Sequence, residues 1–286
     1  MTLRVKNALI IIIIFIILFV LGYTIPSRII LNEYLKSEKR FVENNINRFN
    51  LLFNQEVENL DKITSNWAYC DDTYNFIQTK SDVYIESKIL DETFMNLNIN
   101  YMIFFDKNIN IVFKKFYNLT LKKEEDFPES LFEIIKNIIN NLENNIENFK
   151  GIESIDSQIV IFSIKKINTC DLKSTYNGFI SMGYLLTPEK IWHLTKILGY
   201  PINLFTYNYK YLPKDFEIAK NKLNNEVIYI NPVNNYNLDA YFSLKDIFNN
   251  DCAIIKIGFQ RDIYSQGKAT LNYFLILFFN HWFDTD

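Results

Sequence analysis

The chain has 286 residues, 49% of them hydrophobic and 22% charged, which is enough for one large folded domain or two small ones. Its net charge of −3, without a dense lysine or arginine block, excludes a general nucleic-acid-binding surface, so no nucleic-acid partner is expected. Three separated cysteines (Cys70, Cys170 and Cys252) form no CxxC pair and there are only two histidines, so the sequence predicts no metal site.

The first predicted element is a transmembrane helix at residues 8–25. Residues 8–22 include no charged or polar side chain, and the longer segment falls within the range of about 17–25 residues that spans a bilayer. A cleaved signal peptide is the alternative, because Arg4 and Lys6 precede the apolar run. The small residues that a cleavage site needs are missing, so an uncleaved anchor is predicted. The flanking charges do not decide its orientation.

Residues 28–66 predict one long helix, because they contain neither glycine nor proline and their apolar side chains repeat at spacings of three and four. Glu56 interrupts one of the two rows that form this seam. Such a stalk is expected to pack on a partner helix, which includes a homodimer through the N-terminal helix. The alternative, favoured from about Phe49 onward, is that the seam packs on the chain's own domain. The rows are Leu35, Val42, Phe49 and Ile63, and Ile46, Phe53, Leu60 and Trp67.

Residues 67–268 predict an α+β domain, because the apolar period changes several times between that of a helix and that of a strand. Hairpin-like strand pairs prevail over strand–helix–strand units, so we expect an antiparallel sheet with helices to one side. The predicted helices are 81–97, 128–148 and 187–198. The predicted strands are 101–106, 110–117, 158–167, 178–186, 202–207, 226–230, 238–243 and 253–260.

A second apolar run at residues 269–283 is predicted to be a partial or short second transmembrane helix. It is short for a span, but residues 273–279 have no polar face, which favours a membrane over a protein core. A final core helix and an interfacial helix remain alternatives.

The sequence contains no catalytic constellation, since GxSxG, HExxH, P-loop and GxGxxG motifs are all missing. We therefore expect no enzyme activity, no catalytic residues and no cofactor. His193 lies on a predicted helix without a second metal ligand spaced nearby, and we interpret it as structural.

The candidate ligand contacts lie in one short segment, WAYCDDTY, at residues 67–74. Asp71 and Asp72 are framed there by Trp67 and Tyr74, and carboxylates beside aromatic rings bind a cation or a hydrogen-bond donor. Adjacent aspartates do not face each other on a helix or strand. A role in helix capping or in a turn therefore stays open beside the ligand-binding role.

The segment at residues 67–78, WAYCDDTYNFIQ, resembles the hallmark W-A-x-W-D-D-T-Y-x-F of the fourth class of CHASE domains. Cys70 stands where that family usually has an aromatic residue, and Tyr184 stands where it often has arginine. The resemblance covers nearly all of residues 28–268. Further stretches fit in the family's order: NYMIFFD at 100–106, GFISMGY at 178–184, ILGYPINLF at 197–205, and RDIY at 261–264 with Gly267.

The resemblance implies that residues 28–268 are an extracytoplasmic sensor domain in the cell membrane, with residues 1–7 in the cytoplasm. Its fold would be PAS- or Cache-like, an antiparallel sheet with a long N-terminal helix, flanked by transmembrane helices. It would bind an unknown small-molecule ligand and pass the signal through the helices to a cytoplasmic output domain. The candidate ligand contacts are Trp67, Asp71, Asp72 and Tyr74.

No HAMP, kinase or cyclase sequence follows residues 269–283. We therefore expect a truncated gene product, a protein that signals through a partner, or one that has lost its function. The alternative function is an anchored structural or interaction module that pairs with another membrane protein through its helical stalk.

Overall fold

The computed structural model describes residues 3–141, 148–172 and 175–283. Its first helix, α1 (Leu3–Ala68), is continuous from the N-terminal apolar run to the start of the WAYCDDTY segment and contains a single proline, Pro26. The other helices of the described residues are α2 (Asp71–Thr79), α3 (Asp82–Lys88), α4 (Asp91–Leu97), α5 (Glu129–Asn141), α6 (Pro188–Leu198), α7 (Lys214–Leu223) and α8 (Asp262–Phe283).

The strands of the described residues form two sheets. A six-stranded sheet has the order β3-β2-β1-β6-β5-β4, and a four-stranded sheet has the order β7-β10-β9-β8. The strands are β1 (Tyr101–Asp106), β2 (Ile111–Asn118), β3 (Lys123–Glu125), β4 (Asn148–Ile155), β5 (Gln158–Ile167), β6 (Gly178–Leu185), β7 (Ile202–Thr206), β8 (Ile228–Pro232), β9 (Asn237–Lys245) and β10 (Asp251–Gln260).

The N-terminal part of α1 is the one described helix that is long and apolar enough to cross a membrane. Its side chains between Ile10 and Ile25 are largely exposed although they are apolar. Exposed apolar side chains of this kind are typical of a lipid-facing surface. Helix α8 contains the predicted second transmembrane segment, which stays a prediction.

Two compact units divide the chain. The larger comprises Arg48–Tyr229 and Tyr241–Ile257, and the smaller comprises Met1–Asn47, Ile230–Ala240 and Gly258–Asp286. The six-stranded sheet lies in the larger unit, and all its described pairs are antiparallel. The predicted α+β class and antiparallel sheet are therefore confirmed.

Both faces of the six-stranded sheet are covered by helices. Phe105 of β1 stacks on Phe132 of α5, with 6.2 Å between ring centroids, and Phe104 packs edge-on against Phe76 of α2 on the opposite face. The expectation of helices to one side is therefore wrong for this sheet. The sequence of β1, YMIFFD, gives the reason: its apolar residues do not alternate with polar ones, which is typical of a strand buried on both faces.

The apolar seam of α1 is buried within the chain. Phe49, Phe53, Val57 and Leu60 are each at most 9% exposed, and Phe49 packs on Phe242 with 5.4 Å between ring centroids. The alternative in which this part of the seam packs on the chain's own domain is confirmed. Burial of these side chains provides hydrophobic free energy that stabilises the packing of this part of α1, including its contact with Phe242 of β9.

Several predicted elements differ from the structure. The helix expected at 81–97 is two helices, α3 and α4, because Leu90 is extended and Thr93 donates a hydrogen bond to the Lys88 carbonyl at the start of α4. The helix expected at 128–148 ends as α5 at Asn141, and residues 142–147 lie outside the described part of the chain. At residue 148 the chain is already in strand β4, which pairs with β5.

Helix α6 has the predicted ends. Thr187 occupies its N-cap position, Pro188 lies in its first turn, and Gly199 ends it in the left-handed conformation with φ +83°. A glycine reaches that conformation without the clash that a Cβ would cause. These signals place the first turn of α6 directly after β6 in the chain.

Candidate functional site

The larger unit contains a cavity of about 520 Å³ between α1, the end of β6 and α6, which we call the α1–α6 cavity. Its volume lies within the range of about 300–1,000 Å³ that is common for small-molecule sites. Apolar side chains form much of its wall, with a few polar groups among them. It is lined by Phe53, Glu56, Asn98, Leu119, Thr120, Ile161, Tyr184, Leu186, Thr187, Glu189, Lys190, His193 and Leu194.

Three polar side chains of this cavity, Glu56, Tyr184 and Lys190, are arranged around the ring of Tyr184. Tyr184 Oη donates a hydrogen bond to Glu56 Oε2 at 3.4 Å, and the Lys190 ammonium lies 3.8 Å from the centroid of the Tyr184 ring. Lys190 and Glu56 form no ion pair with each other among the described contacts. The tyrosine ring therefore separates a cation on its face from an anion at its hydroxyl end.

The pKa values of these groups reflect partial burial. Burial lowers the pKa of Lys190, and the charge of Glu56 opposes that shift only in part. Burial, together with the neighbouring Glu56 carboxylate, raises the pKa of Tyr184, which keeps its hydroxyl protonated as a donor. Perturbed groups that meet in a cavity are a common property of functional sites.

Sequence reasoning missed Glu56, Tyr184 and Lys190 as site residues. One signal was available, since Glu56 interrupts an otherwise apolar row of the α1 seam, and the structure places that carboxylate at the cavity. His193, which the sequence marked as structural, is exposed and lines the same cavity, whereas the buried face of α6 is made by Leu194 and Leu198.

The predicted contact residues lie around the junction of α1 and α2. A recess of about 150 Å³, which we call the Trp67 recess, brings together Trp67 and Asp72 with Thr73, Tyr84 and Lys88. Asp72 Oδ2 and Lys88 Nζ are 3.7 Å apart and both side chains are exposed, so this pair contributes little to stability. Tyr84 and Thr73 share a hydrogen bond of 2.7 Å, and burial raises the pKa of Tyr84 to about 12.

Asp71 and Tyr74 point to a different neighbour, the segment before β6. Asp71 Oδ1 accepts a hydrogen bond from the Cys170 amide at 2.9 Å, and Tyr74 Oη donates one to the Thr175 carbonyl at 3.3 Å. The structure therefore brings two of the four predicted contacts together in the recess and places the other two outside it. Both aspartates lie in the first turn of α2 with Cys70 at the N-cap, where their charge suits the helix dipole.

The smaller unit holds a contact between two helices. Arg261, next to the start of α8, donates to Glu38 of α1 from Nε at 3.1 Å and from Nη2 at 2.9 Å, and both side chains are buried. The third guanidinium nitrogen, Nη1, donates a hydrogen bond to the Asn234 carbonyl at 3.2 Å. Farther along α8, Gly267 lies directly against the Tyr34 ring of α1.

Among residues 3–141, 148–172 and 175–283, no group of three or more His, Cys, Asp or Glu side chains is arranged to hold a metal ion. The α1–α6 cavity, with Lys190 as its lysine, the carboxylates Glu56 and Glu189, and an apolar wall, has the size and lining that are common for small-molecule sites.

The fold is PAS/Cache-like, with an antiparallel sheet and a long N-terminal helix. It is similar to a domain of a sensory box/GGDEF family protein from Vibrio parahaemolyticus, with a TM-score of 0.50 and 10% identity over 82% of this chain and 99% of that one. It is also similar to the extracellular domain of the histidine kinase vpHK1S-Z8, with a TM-score of 0.49 and 12% identity over 83% of this chain and 95% of that one.

The sequence gives the family within this class. The CHASE4 domain profile matches residues 52–204, more than half of the chain, so the chain belongs to the CHASE4 domain family. This confirms the resemblance of the WAYCDDTYNFIQ segment, which lies inside the matched range. The chain is also 19% identical over 235 residues to the methanogenesis regulatory histidine kinase FilI of Methanothrix harundinacea (strain 6Ac), covering 82% of this chain and 26% of FilI.

Proposed function

We propose that this chain is the extracytoplasmic ligand-sensing domain of a membrane-anchored signal-transduction receptor, and that its small-molecule ligand binds in the α1–α6 cavity. One observation carries the proposal. Phe53 and Glu56 form a wall of the cavity and belong to α1, the uninterrupted helix whose N-terminal part is the candidate membrane span. A ligand in the cavity therefore contacts the element that would carry its signal.

The proposed layout follows the sequence. Residues 8–25 span the cell membrane, residues 1–7 lie in the cytoplasm, residues 28–268 lie outside and residues 269–283 form a short second span. Ligand contacts with α1 favour one placement of that helix over another, and the ligand shifts the populations by the difference in its affinity for the two states. In this proposal the chain binds its ligand and does not catalyse a reaction.

The four residues singled out by the sequence keep a role in this proposal. Trp67 and Asp72 contact a small ligand group in the Trp67 recess, and Asp71 and Tyr74 hold the segment before β6 in place. The recess is about 150 Å³, which is below the usual size of a ligand site, so we assign the main site to the larger cavity.

The stalk-pairing alternative is restricted to the part of α1 before Phe49, because the seam from Phe49 to Leu60 is buried within the chain, as the sequence favoured. Pairing with a second copy or another membrane protein would use the earlier part of α1, where Ile29 and Leu35 are exposed.

Thermal unfolding of the full chain in lipid nanodiscs, with and without fractionated metabolites, tests the proposal. A ligand at a hundred times its Kd stabilises the folded state by about 2.7 kcal/mol, so an active fraction raises the midpoint of unfolding. Thr120→Trp narrows the cavity from its loop wall and should abolish that rise. Leu121→Trp, at an exposed neighbouring position outside the cavity lining, is the matched control.

If a fraction stabilises Thr120→Trp and Leu121→Trp equally, its ligand binds outside the cavity. No stabilising fraction at all would contradict the sensing function.

A further inference from the structure

We propose that the ligand of the α1–α6 cavity is a small organic monocarboxylate, held through its carboxylate by Lys190 and through its apolar body by Phe53, Ile161 and Leu194. The inference deepens the proposed function and rests on it. It starts from the charge of a single side chain.

Lys190 carries a positive charge that no described protein group neutralises by direct contact. Its ammonium lies over the Tyr184 ring at 3.8 Å from the centroid. Among the described residues, Lys190 forms no hydrogen bond or ion pair in addition to this ring contact. An ammonium has three donors, and a ring face satisfies none of them as a full hydrogen bond. Partial burial lowers the pKa of Lys190, and the charge of Glu56, which forms no hydrogen bond with it, offsets that shift only in part. An anionic group in the cavity would provide the missing partner.

The wall on the other side of the cavity sets the rest of the ligand. Phe53 and Leu194 are each 4% exposed and Ile161 is fully buried, yet all three line the cavity. Apolar side chains that border an open volume favour an apolar ligand body, because binding removes apolar surface of both from water. A cation without a hydrogen-bonded partner beside an apolar wall is the complement of a carboxylate with a hydrocarbon body.

The remaining charges restrict the ligand to one negative group. Glu56 lies at the hydroxyl end of Tyr184, where it would repel a second anionic group. Glu189 lines the same cavity, and its own backbone amide, followed by the Thr187 hydroxyl, lowers the pKa of its carboxyl group. His193 is exposed at the cavity lining. A monocarboxylate pairs with Lys190, whereas the second negative charge of a dicarboxylate or a phosphate would find no further lysine or arginine in the lining and would meet Glu56 or Glu189, which disfavours both.

The test uses the full chain in phosphatidylcholine nanodiscs and three acids that differ in their apolar body: pentanoate, 3-methylbutanoate and phenylacetate. Each acid is compared with its neutral amide, and pentanoate also with pentanedioate. We expect at least one acid to raise the unfolding midpoint in a concentration-dependent way, while its amide and the dicarboxylate do not. Equal effects of acid and amide, or no effect of any acid, would overturn the assignment.

Lys190→Gln removes the charge and keeps a polar side chain that is one atom shorter than that of lysine. It should weaken binding of the active acid by roughly tenfold or more, since a hydrogen bond to a charged group contributes about 1.5–3 kcal/mol. Lys196→Gln is the matched control on the same helix, because Lys196 stacks on exposed Trp192 and lies outside the cavity lining. An unchanged affinity in Lys190→Gln would also overturn the assignment.

The two proposals fail in different ways. If a neutral or cationic metabolite stabilises the wild-type chain and Thr120→Trp blocks that effect, the sensing function holds and the carboxylate assignment is wrong. If no metabolite binds in the cavity, the sensing function itself is contradicted.

Discussion

Glu38 and Arg261 form a buried, bidentate ion pair that joins helix α1 to the start of helix α8. The bonded atoms are 2.9–3.3 Å apart, and the guanidinium also stacks on Tyr264 at 3.9 Å from the ring centroid. The planar guanidinium matches a carboxylate at two points, which fixes the relative position of the two helices more tightly than a lysine would. The first of these helices contains the candidate membrane span, and the last contains the predicted second span.

Removing one partner of this pair should destabilise the smaller unit strongly. We expect Glu38→Gln or Arg261→Met to lower the free energy of unfolding by about 3–5 kcal/mol, because each leaves a buried charge without its partner. Glu33→Gln breaks the exposed Glu33–Lys36 pair of the same helix and should lower the free energy of unfolding far less, because water screens that pair. Urea unfolding of the three variants checks the contrast, and equal losses would show that burial of the pair is unimportant.

Gly267 is required by the close approach of α8 to α1. A Cβ at this position would lie 2.7 Å from Tyr34 Cγ and 2.9 Å from Tyr34 Cβ, neither of which is the far end of a flexible side chain. Gly267→Ala should therefore lower the unfolding free energy by about 1–3 kcal/mol, although alanine favours helix by about 1 kcal/mol.

The double variant Gly267→Ala/Tyr34→Ala provides the control, since the added methyl group then has space. The double variant should lose less unfolding free energy than the sum of the losses in Gly267→Ala and Tyr34→Ala. Strict additivity would mean that the two residues do not press on each other.

The Asp61 carboxylate ties α1 to β5 inside the larger unit. Its Oδ1 lies 2.8 Å from Lys165 Nζ and accepts from Ser163 Oγ at 2.9 Å. Burial opposes ionisation, but the hydrogen bonds from Lys165 and Ser163 outweigh it and lower the pKa of Asp61. Asp61→Asn should cost about 3–5 kcal/mol near neutral pH, because Lys165 is then buried without its counter-ion.

The pH dependence of this cost has a definite sign. The folded-state pKa of Asp61 lies below the unfolded value near 3.8, so the stabilisation is complete above that value and is lost as pH falls through the folded pKa. The difference in unfolding free energy between wild type and Asp61→Asn should therefore shrink at acidic pH. Glu58→Gln, which removes an exposed contact to Lys150, should show only a small and nearly constant difference.

The adjacent aspartates of the WAYCDDTY segment should behave differently from each other. Asp71→Ala removes the acceptor of the Cys170 amide and should speed hydrogen exchange at that amide. Asp72→Ala should leave this exchange rate unchanged, because its carboxylate borders the Trp67 recess and pairs with Lys88. Faster exchange in both variants would indicate a general loosening of α2 instead.

The sequence predicted the elements with a strong local pattern. The long α1 helix, the hairpin of β1 and β2, and helix α6 with its Thr187 and Gly199 ends were readable because period and capping residues depend on neighbours in the chain. Helix α7 was not predicted, since its sequence KDFEIAKNKL is largely polar and buries only Phe216 and Ala219. Strand β4 contains Gly151 and is specified by pairing with β5 rather than by its own sequence.

The candidate site was less accessible to sequence reasoning. Glu56, Tyr184 and Lys190 come from a long helix, a central strand and a short helix, and only the packing of α1 and α6 at the end of β6 brings them together. The recognisable motif at residues 67–74 instead marked a junction between two helices. A motif that is easy to recognise in the sequence can therefore lie beside the main cavity rather than within it.

The most direct test of the account is the side of the membrane on which residues 28–268 lie. A reporter that is active only outside the cytoplasm and one that is active only inside should each be fused after Gln266, before the last apolar run. We expect activity of the outside reporter and none of the inside one. Activity of the inside reporter would place the CHASE4 domain in the cytoplasm and contradict its role as an extracytoplasmic sensor.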